Sequence, residues 1–179
     1  MTQHRDYTLD IETLLTAKRF SVQRVTQRFS DGRTFTREVV RHAGAVVIVP
    51  VLDDGRICLI RNYRVAVDRE LLELPAGTLE SGEPPIETAR RELIEETGFV
   101  AGQVQPLHEF YMSPGILDER MFAFVATQLT AGPPAREAGE QIENLLVTPQ
   151  ELDQLLVAGR IQDSKSLSAI LYYRHVAPR

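Results

Sequence analysis

Three acidic side chains on one turn of a predicted helix constrain this chain more than any other feature. Residues 91–98 read RELIEETG, which places Glu92, Glu95 and Glu96 at relative positions 0, +3 and +4. On a helix these positions project together within about 100°. Like charges so placed repel and destabilise an isolated helix, so we expect a cation against them. Oxygen ligands of this kind favour a hard ion such as Mg²⁺ or Mn²⁺ over Zn²⁺.

The residues around these acids predict the bounds of the helix and a glycine loop before it. Residues 81–83, Ser-Gly-Glu, are typical of a polar turn, and Pro84-Pro85 suits a first helical turn, where a missing amide costs little. Gly98 is expected to end the helix. Gly77 lies where the backbone can turn sharply and approach a ligand closely. An i, i+3, i+7 stripe predicts the buried face: Ile86, Ala89 and Leu93.

The stretch from Gly77 to Phe99 resembles the signature of the Nudix hydrolases, G-x5-E-x7-R-E-U-x-E-E-x-G-U, where U is a bulky apolar residue. Its fixed positions hold Gly77, Glu83, Arg91, Glu92, Glu95, Glu96 and Gly98, and its apolar positions hold Leu93 and Phe99. Fixed matches in this number arise by chance about once in 10⁸ windows. The alternative is an ordinary surface helix in which Arg91 simply pairs with Glu95. The resemblance implies an α/β/α sandwich around a mixed sheet.

Composition excludes several other classes of protein. The 179 residues are enough for one domain with a sizeable core. The net charge of −5 argues against a general nucleic-acid binder. The single cysteine, Cys58, lies in an apolar run and is expected to be a buried thiol, so no disulfide framework can form within one chain. No apolar run approaches the roughly 20 residues that span a bilayer, and residues 1–12 lack a signal-peptide pattern. We therefore expect a cytoplasmic protein without membrane segments.

Local patterns predict an α/β (α+β) fold with an N-terminal β-hairpin region. Asp31-Gly32 between the alternating runs 20–29 and 33–40 predicts the hairpin. Because such strands have open edges, we expect residues 1–43 to serve in forming a homodimer and residues 44–179 to be the Nudix hydrolase domain. Apolar runs predict further strands at 45–52, 56–61, 70–74, 104–111, 119–128 and 142–148.

Two helices are predicted near the C-terminus. Thr148 and Glu151 form a capping-box pattern, which begins one helix at Pro149. The other is expected to run from residue 163 or 164 to His175, with a core face made of Leu167, Ile170 and Leu171. Strands and helices do not alternate as βαβ units, so the pattern predicts a mixed sandwich.

The Nudix resemblance implies hydrolysis of a nucleoside diphosphate linked to another moiety. It implies Glu92 and Glu96 as the main metal ligands, together with the backbone carbonyl of Ala76 and with Glu95 as a shared or water-mediated ligand. Arg91 would orient these acids and pair with Glu83; the alternative for that pair is a purely structural role. The expected cofactor is Mg²⁺, with Mn²⁺ possible, because a divalent cation neutralises a pyrophosphate and lowers the pKa of bound water.

A second cluster, residues 111–115 (YMSPG), resembles the marker of the ADP-ribose pyrophosphatases within that family. Pro114 follows Phe99 by fifteen residues, as in that subfamily; the alternative is an ordinary turn. The subfamily resemblance implies that five residues bind substrate: Arg41, Arg64, Pro114, Gly115 and Glu119. Arg64 and Arg41 would clamp phosphates through their planar forks of donors, one of them across a dimer interface. For each arginine the alternative is a solvated charge at a strand end.

The same subfamily uses a glutamate on a late, mobile loop as general base. Glu140 is our first candidate and Glu137 the second, and Gly139 permits loop motion. The alternative is a solvated acidic loop. The four histidines show no ligand spacing.

Together these features predict a metal-dependent hydrolase that converts ADP-ribose to AMP and ribose 5-phosphate. Two alternatives remain open at this point. The substrate could be another nucleotide sugar such as GDP-mannose, because base contacts cannot be read from the sequence. From a different class, the chain could be a sensor that binds ADP-ribose without cleaving it, although such a module typically loses one or more of the acids present here.

Overall fold

The computed structural model describes residues 6–133 and 142–176. Within them the chain divides into two compact units, which are described separately. The first contains residues up to Ala43 and the segment Tyr111–Arg120; the second contains Gly44–Phe110 and the residues from Met121 onward. Among the described residues, no helix has both the length and the apolar character needed to cross a membrane.

The first unit is a three-stranded antiparallel sheet with the connecting segment 111–120 beside it. Its strands are β1 Tyr7–Thr16, β2 Phe20–Phe29 and β3 Thr34–His42, in that order. The predicted hairpin is confirmed: β2 and β3 are joined through Gly32, whose φ of 86° favours glycine. Val40 links β3 to the segment, since its N–H donates to Ile116 and its carbonyl accepts from Asp118, at 2.8 and 3.1 Å. Strand β1 was not predicted.

The second unit is built from two sheets with strand orders β7-β4-β9-β8 and β10-β5-β6. β4 runs parallel to β9 and antiparallel to β7. The strands are β4 Ala45–Pro50, β5 Ile57–Arg64, β6 Arg69–Glu73, β7 Ala76–Thr78, β8 Phe99–Tyr111, β9 Arg120–Ala131 and β10 Ile142–Val147, and the helices are α1 Pro85–Thr97, α2 Pro149–Val157 and α3 Ser164–His175. A short 3₁₀ turn, Val65–Val67, joins β5 to β6.

One part of the core of the second unit forms where α1 packs against the larger sheet. All six residues of β4 are buried, and β4 contacts both α1 and α3. One cluster joins Val46 and Ile48 of β4 to Ala89 and Leu93 of α1. The predicted apolar stripe of α1 is confirmed, because Ala89 and Leu93 are fully buried and Ile86 packs against the same cluster. This packing fixes which face of α1 carries the acids.

The predicted capping box is also confirmed, but the predicted core face of α3 is partly wrong. Glu151 N–H donates to Thr148 Oγ1 at 3.2 Å, and Thr148 N–H donates to Glu151 Oε2 at 2.8 Å. On α3, Ile170 is buried, whereas Leu167 and Leu171 are 36% and 40% exposed. The buried face is instead Ser166, Ala169 and Ile170. Successive side chains on a helix point about 100° apart, so apolar residues in α3 can lie on more than one face. The sequence therefore did not determine which face packs inward.

Candidate active site

Helix α1 carries the acidic cluster and is fixed at both ends by its own sequence. At its start Thr88 Oγ1 donates to Glu83 Oε2 at 2.8 Å, which ties the polar turn to the first helical residues. At its end Gly98 has φ of 78°, and its N–H donates to the carbonyl of Ile94 at 2.8 Å. This left-handed C-cap confirms the predicted stop.

The guanidinium of Arg91 joins three acidic side chains. Its Nε and Nη2 donate to the two oxygens of Glu83 at 3.2 and 3.1 Å. Its Nη1 donates to Glu92 Oε1 at 2.8 Å and to Glu95 Oε2 at 2.9 Å. These hydrogen bonds raise the pKa of Arg91, and Arg91 in turn holds the pKa of Glu83 below its ordinary value. Acids thus outnumber the one guanidinium, and the cluster keeps an excess of negative charge.

Strand β7 contacts two acids of helix α1, Glu96 and Glu92. The amide of Ala76 donates to Glu96 Oε2 at 2.9 Å, and Glu96 is only 6% exposed. The carboxylate of Glu92 lies against Gly77, so closely that a Cβ on Gly77 would overlap it. A larger residue here would force the flexible end of Glu92 to shift, so the close approach, and not a positive φ, is what favours glycine. The backbone of Ala76-Gly77 is therefore brought against two of the acids that the sequence analysis assigned to the metal.

The predicted ligands are of the chemical types that suit a hard divalent cation. They are the backbone carbonyl of Ala76 and the carboxylates of Glu92, Glu95 and Glu96, and oxygen ligands are what Mg²⁺ and Mn²⁺ prefer. Within residues 6–133 and 142–176 the acids are not arranged as a group that could hold a metal ion directly. Instead, Arg91 Nη1 donates to Glu92 and Glu95, and the amide of Ala76 donates to Glu96. Their role as metal ligands stays a prediction.

Arg64, a predicted phosphate clamp at the end of β5, forms a two-pronged ion pair that the sequence analysis missed. Its Nε and Nη2 donate to Glu73 Oε1 and Oε2 at 2.8 and 2.6 Å. The hydrogen bond to Glu73 raises the pKa of Arg64, and the charge of Glu96 acts in the same direction. Glu73 is 1% exposed and is also bonded by Lys165 at 2.5 Å. One sequence signal could have indicated this ion pair: Glu73 is an acid inside the apolar run 71–74. An acid in such a run is expected to be buried, and buried acids are paired.

The other predicted substrate-binding residues belong to the first unit. Arg41 lies near the end of β3, where its Nε donates to Gln23 at 2.9 Å and its Nη1 donates to Asp118 at 3.0 Å. Glu119 lies 3.7 Å from Nδ1 of His42.

Pro114 and Gly115 form a turn that is closed when Ile116 N–H donates to the carbonyl of Ser113 at 3.0 Å. The turn, which the sequence analysis gave as the alternative to a subfamily marker, is present, and a role of Pro114 and Gly115 in binding stays a prediction. Both candidate bases, Glu137 and Glu140, lie outside the described residues.

Comparison with known proteins gives consistent matches over most of the chain. A family model described as the NUDIX domain matches residues 41–169. The ADP-ribose pyrophosphatase of Bacillus subtilis (strain 168) is 38% identical over 144 residues, which are 79% of this chain and 78% of that protein. The GDP-mannose pyrophosphatase of Enterobacter sp. (strain 638) is 34% identical over 153 residues, 75% of this chain and 79% of that protein. The crystal structure of an ADP compounds hydrolase matches with a TM-score of 0.83 at 27% identity, covering 97% of this chain and 95% of that one.

Proposed function

Because this chain belongs to the Nudix family of pyrophosphohydrolases, we propose that it hydrolyses the pyrophosphate of ADP-ribose to AMP and ribose 5-phosphate. The observation that carries this proposal is the meeting of Glu92 and Glu96 with the Ala76-Gly77 backbone. Helix α1 supplies the carboxylates, which lie beside the guanidinium of Arg91, and strand β7 approaches two of them closely at Ala76 and Gly77. The named relative from Bacillus subtilis supports the choice of ADP-ribose among nucleotide sugars.

The proposed cofactor is Mg²⁺, with Mn²⁺ as a substitute. Ala76, Glu92 and Glu96 would hold it, with Glu95 as a shared or water-mediated ligand. When bound, a divalent cation neutralises the pyrophosphate and lowers the pKa of its water. Arg91 and Glu83 orient the acids, because the fork of Arg91 fixes the carboxylates of Glu83, Glu92 and Glu95 at hydrogen-bonding distance.

The chain's own cations would bind the anionic substrate. Arg64 uses Nε and Nη2 for Glu73, and within the described residues its Nη1 has no hydrogen-bond partner, so that end can donate to a phosphate oxygen. Arg41, Pro114, Gly115 and Glu119 are proposed as further substrate-binding residues. Glu140 is the proposed general base, with Glu137 as the alternative; either would take a proton from the attacking water.

Two other functions compete with this one. A GDP-mannose pyrophosphatase is 34% identical to this chain, and an ADP-ribose pyrophosphatase is 38% identical. These similar identities support either sugar and either nucleobase in the substrate. A non-catalytic sensor of ADP-ribose is less well supported, because the chain retains every acid of the signature.

A substrate screen tests the proposal. The protein is incubated with Mg²⁺ and either ADP-ribose or GDP-mannose, and phosphate is read after a phosphatase is added, while the nucleotide products are separated by chromatography. We expect ADP-ribose to give AMP with the higher kcat/KM and EDTA to stop the reaction. A higher kcat/KM for GDP-mannose would support the first alternative. Stoichiometric binding of ADP-ribose without release of AMP would contradict hydrolysis and support the sensor.

The homodimer and the cytoplasmic location stay proposals. Strand β1 exposes Leu9, Ile11 and Leu15, each at 43% or more, which suits contact with a second copy. The location rests on the single cysteine, Cys58, which allows no disulfide within one chain and so suits a reducing compartment. Light scattering coupled to size exclusion tests the dimer, and a monomer would contradict it.

A further inference from the structure

The start of helix α3 reaches a buried acid that Arg64 also contacts. Glu73, at the end of β6, is 1% exposed and accepts hydrogen bonds from two cations. Arg64 supplies two of them at 2.8 and 2.6 Å, and Lys165 Nζ supplies a third at 2.5 Å. Lys165 also lies 2.9 Å from Asp163, the N-cap residue of α3. The four side chains form one continuous group, which we call the Glu73 cluster: Arg64, Glu73, Asp163 and Lys165.

The charges of the Glu73 cluster balance only while Lys165 is present. Burying a carboxylate is costly unless it is paired and hydrogen-bonded. One arginine with a bidentate geometry can satisfy Glu73, so the second cation is not needed for pairing alone. Two acids and two cations leave no net charge, whereas loss of Lys165 would leave an excess negative charge beside Arg64. That charge would weaken any attraction of Arg64 for an anion.

The same part of α3 is bonded to the chain segment that leads to the acidic cluster. Ser166 Oγ accepts a hydrogen bond from the amide of Leu74 at 2.7 Å, one residue after Glu73. Two residues further on, the amide of Ala76 donates to Glu96 at 2.9 Å. Glu73 to Ala76 is thus a short segment held at one end by α3 and at the other by α1. No residue of α3 belongs to the Nudix signature.

We propose that Lys165 is a positioning residue for substrate binding, which acts by sharing Glu73 with Arg64 and so keeps the outer Nη1 of Arg64 available to a diphosphate. This inference rests on the proposed function, since it assumes that Arg64 binds the substrate's phosphates. Lys165 itself need not touch the substrate. Without it, Glu73 would have Arg64 as its only cationic partner and would draw the guanidinium more strongly toward itself.

Kinetics of Lys165→Met test the proposal. We expect KM for the preferred nucleotide sugar to rise about tenfold, because Glu73 would then hold the guanidinium of Arg64 alone, while kcat changes less than about threefold. Lys165→Arg keeps the charge and should return KM to within about threefold of the wild-type value. The matched control is Arg174→Met, which removes a cation and its ion pair with Asp153 from the same helix and should leave KM unchanged. An unchanged KM in Lys165→Met would overturn the proposal.

A double-mutant cycle separates this role from a merely structural or long-range one. In a Glu73→Gln background the shared acid is gone, so adding Lys165→Met should change KM less than about threefold. The double variant buries neither the charge of Glu73 nor that of Lys165. If Lys165→Met alone fails to fold, a KM more than about threefold higher in the double variant than in Glu73→Gln would therefore still contradict the proposal. An equal rise of KM in both backgrounds would show that Lys165 acts independently of Glu73, and the proposal would be wrong.

A binding measurement keeps this test apart from the test of the proposed function. Calorimetric titration with ADP in Mg²⁺ reports diphosphate binding whether or not any sugar derivative is hydrolysed. Absence of hydrolysis by the wild type, with ADP bound about tenfold more weakly by Lys165→Met, would reject the proposed function and keep the inference. Equal ADP affinities of the wild type and Lys165→Met would reject the inference alone.

Discussion

The carboxylate of Glu92 occupies the space into which a Cβ on Gly77 would project. Two residues fifteen positions apart in the chain are therefore one structural feature. Glycine at the first position lets the strand β7 backbone lie against an acid of helix α1. The neighbouring hydrogen bond from Ala76 to Glu96 holds the same strand to the same helix. The spacing of the signature thus has a direct steric reason.

We predict that Gly77→Ala loses activity without losing the fold. The added methyl group would push the Glu92 carboxylate away from β7, and misplacement of a catalytic group by about 1 Å can cost about 10²-fold in rate. Steady-state kinetics measure the loss, and circular dichroism checks the fold. Activity within a few-fold of the wild type would show that the close approach is not needed.

The cause of any destabilisation in Gly77→Ala can be isolated with a second substitution. Glu92→Ala removes the side chain that the new Cβ would meet. Adding Gly77→Ala to Glu92→Ala should therefore lower the melting temperature less than adding it to the wild type. Equal losses in the two backgrounds would place the clash elsewhere.

Glu96→Gln should remove most turnover and keep the fold. The glutamine carbonyl can still accept the hydrogen bond from the amide of Ala76, while one ligand charge is lost. We expect kcat/KM to fall by at least about 100-fold, with a melting temperature close to that of the wild type. The matched control is Glu87→Gln, which removes an exposed acid from the first turn of the same helix. Full activity in Glu96→Gln would contradict its assignment as a ligand.

Features that depend on neighbouring residues could be predicted from the sequence. The hairpin through Gly32, the C-cap at Gly98 and the capping box at Thr148 each follow from residues a few positions apart. The acidic face of α1 belongs to the same class, because the helical repeat brings its three acids together.

Features that depend on partners distant in the chain could not be predicted in this way. Strand β7 has three residues and exists because it pairs with β4. Strand β1 is an exception, because it pairs with the next strand, β2, and its residues 7–12 alternate apolar and polar, so a local signal was present and was missed. The bond from Lys165 to Glu73 joins positions 92 residues apart, and no local pattern reports such a contact. The inward face of α3 required its packing partners for the same reason.

The ion pair of Glu83 predicts an acid-sensitive part of the stability. Hydrogen bonds from Arg91, with a further one from Thr88, hold the pKa of Glu83 below its ordinary 4.5, so the folded state favours the ionised form. Its stabilisation is complete above pH 4.5 and is lost as the pH falls through the lowered pKa.

Glu83→Gln should therefore be less stable than the wild type at neutral pH by about 1 kcal/mol, or roughly 2–4 °C in melting temperature. The difference should shrink in acid, below the lowered pKa. Thermal unfolding followed by circular dichroism across this pH range checks it, with Glu87→Gln as the comparison. A gap that stays constant with pH would show that the ionisation of Glu83 does not contribute.

The two candidate bases can be told apart by kinetics. Glu140→Gln should lower kcat by about 10²- to 10⁴-fold while KM changes little, because a general base acts on the chemical step. Glu137→Gln is the matched comparison, with the same change of charge three residues away. If Glu137→Gln carries the loss in kcat, it is the base instead. Two variants with normal kcat would mean that neither residue is the base.

The account depends most on the acids of α1 holding a divalent cation, and Mn²⁺ binding measures this without any turnover. Free Mn²⁺ is followed by electron paramagnetic resonance as it is titrated into the wild type and into a Glu92→Gln, Glu96→Gln double variant. We predict that the wild type removes Mn²⁺ from solution stoichiometrically, that Mg²⁺ competes, and that the double variant binds at least about 100-fold more weakly. Equal binding of Mn²⁺ by both proteins would contradict the central claim.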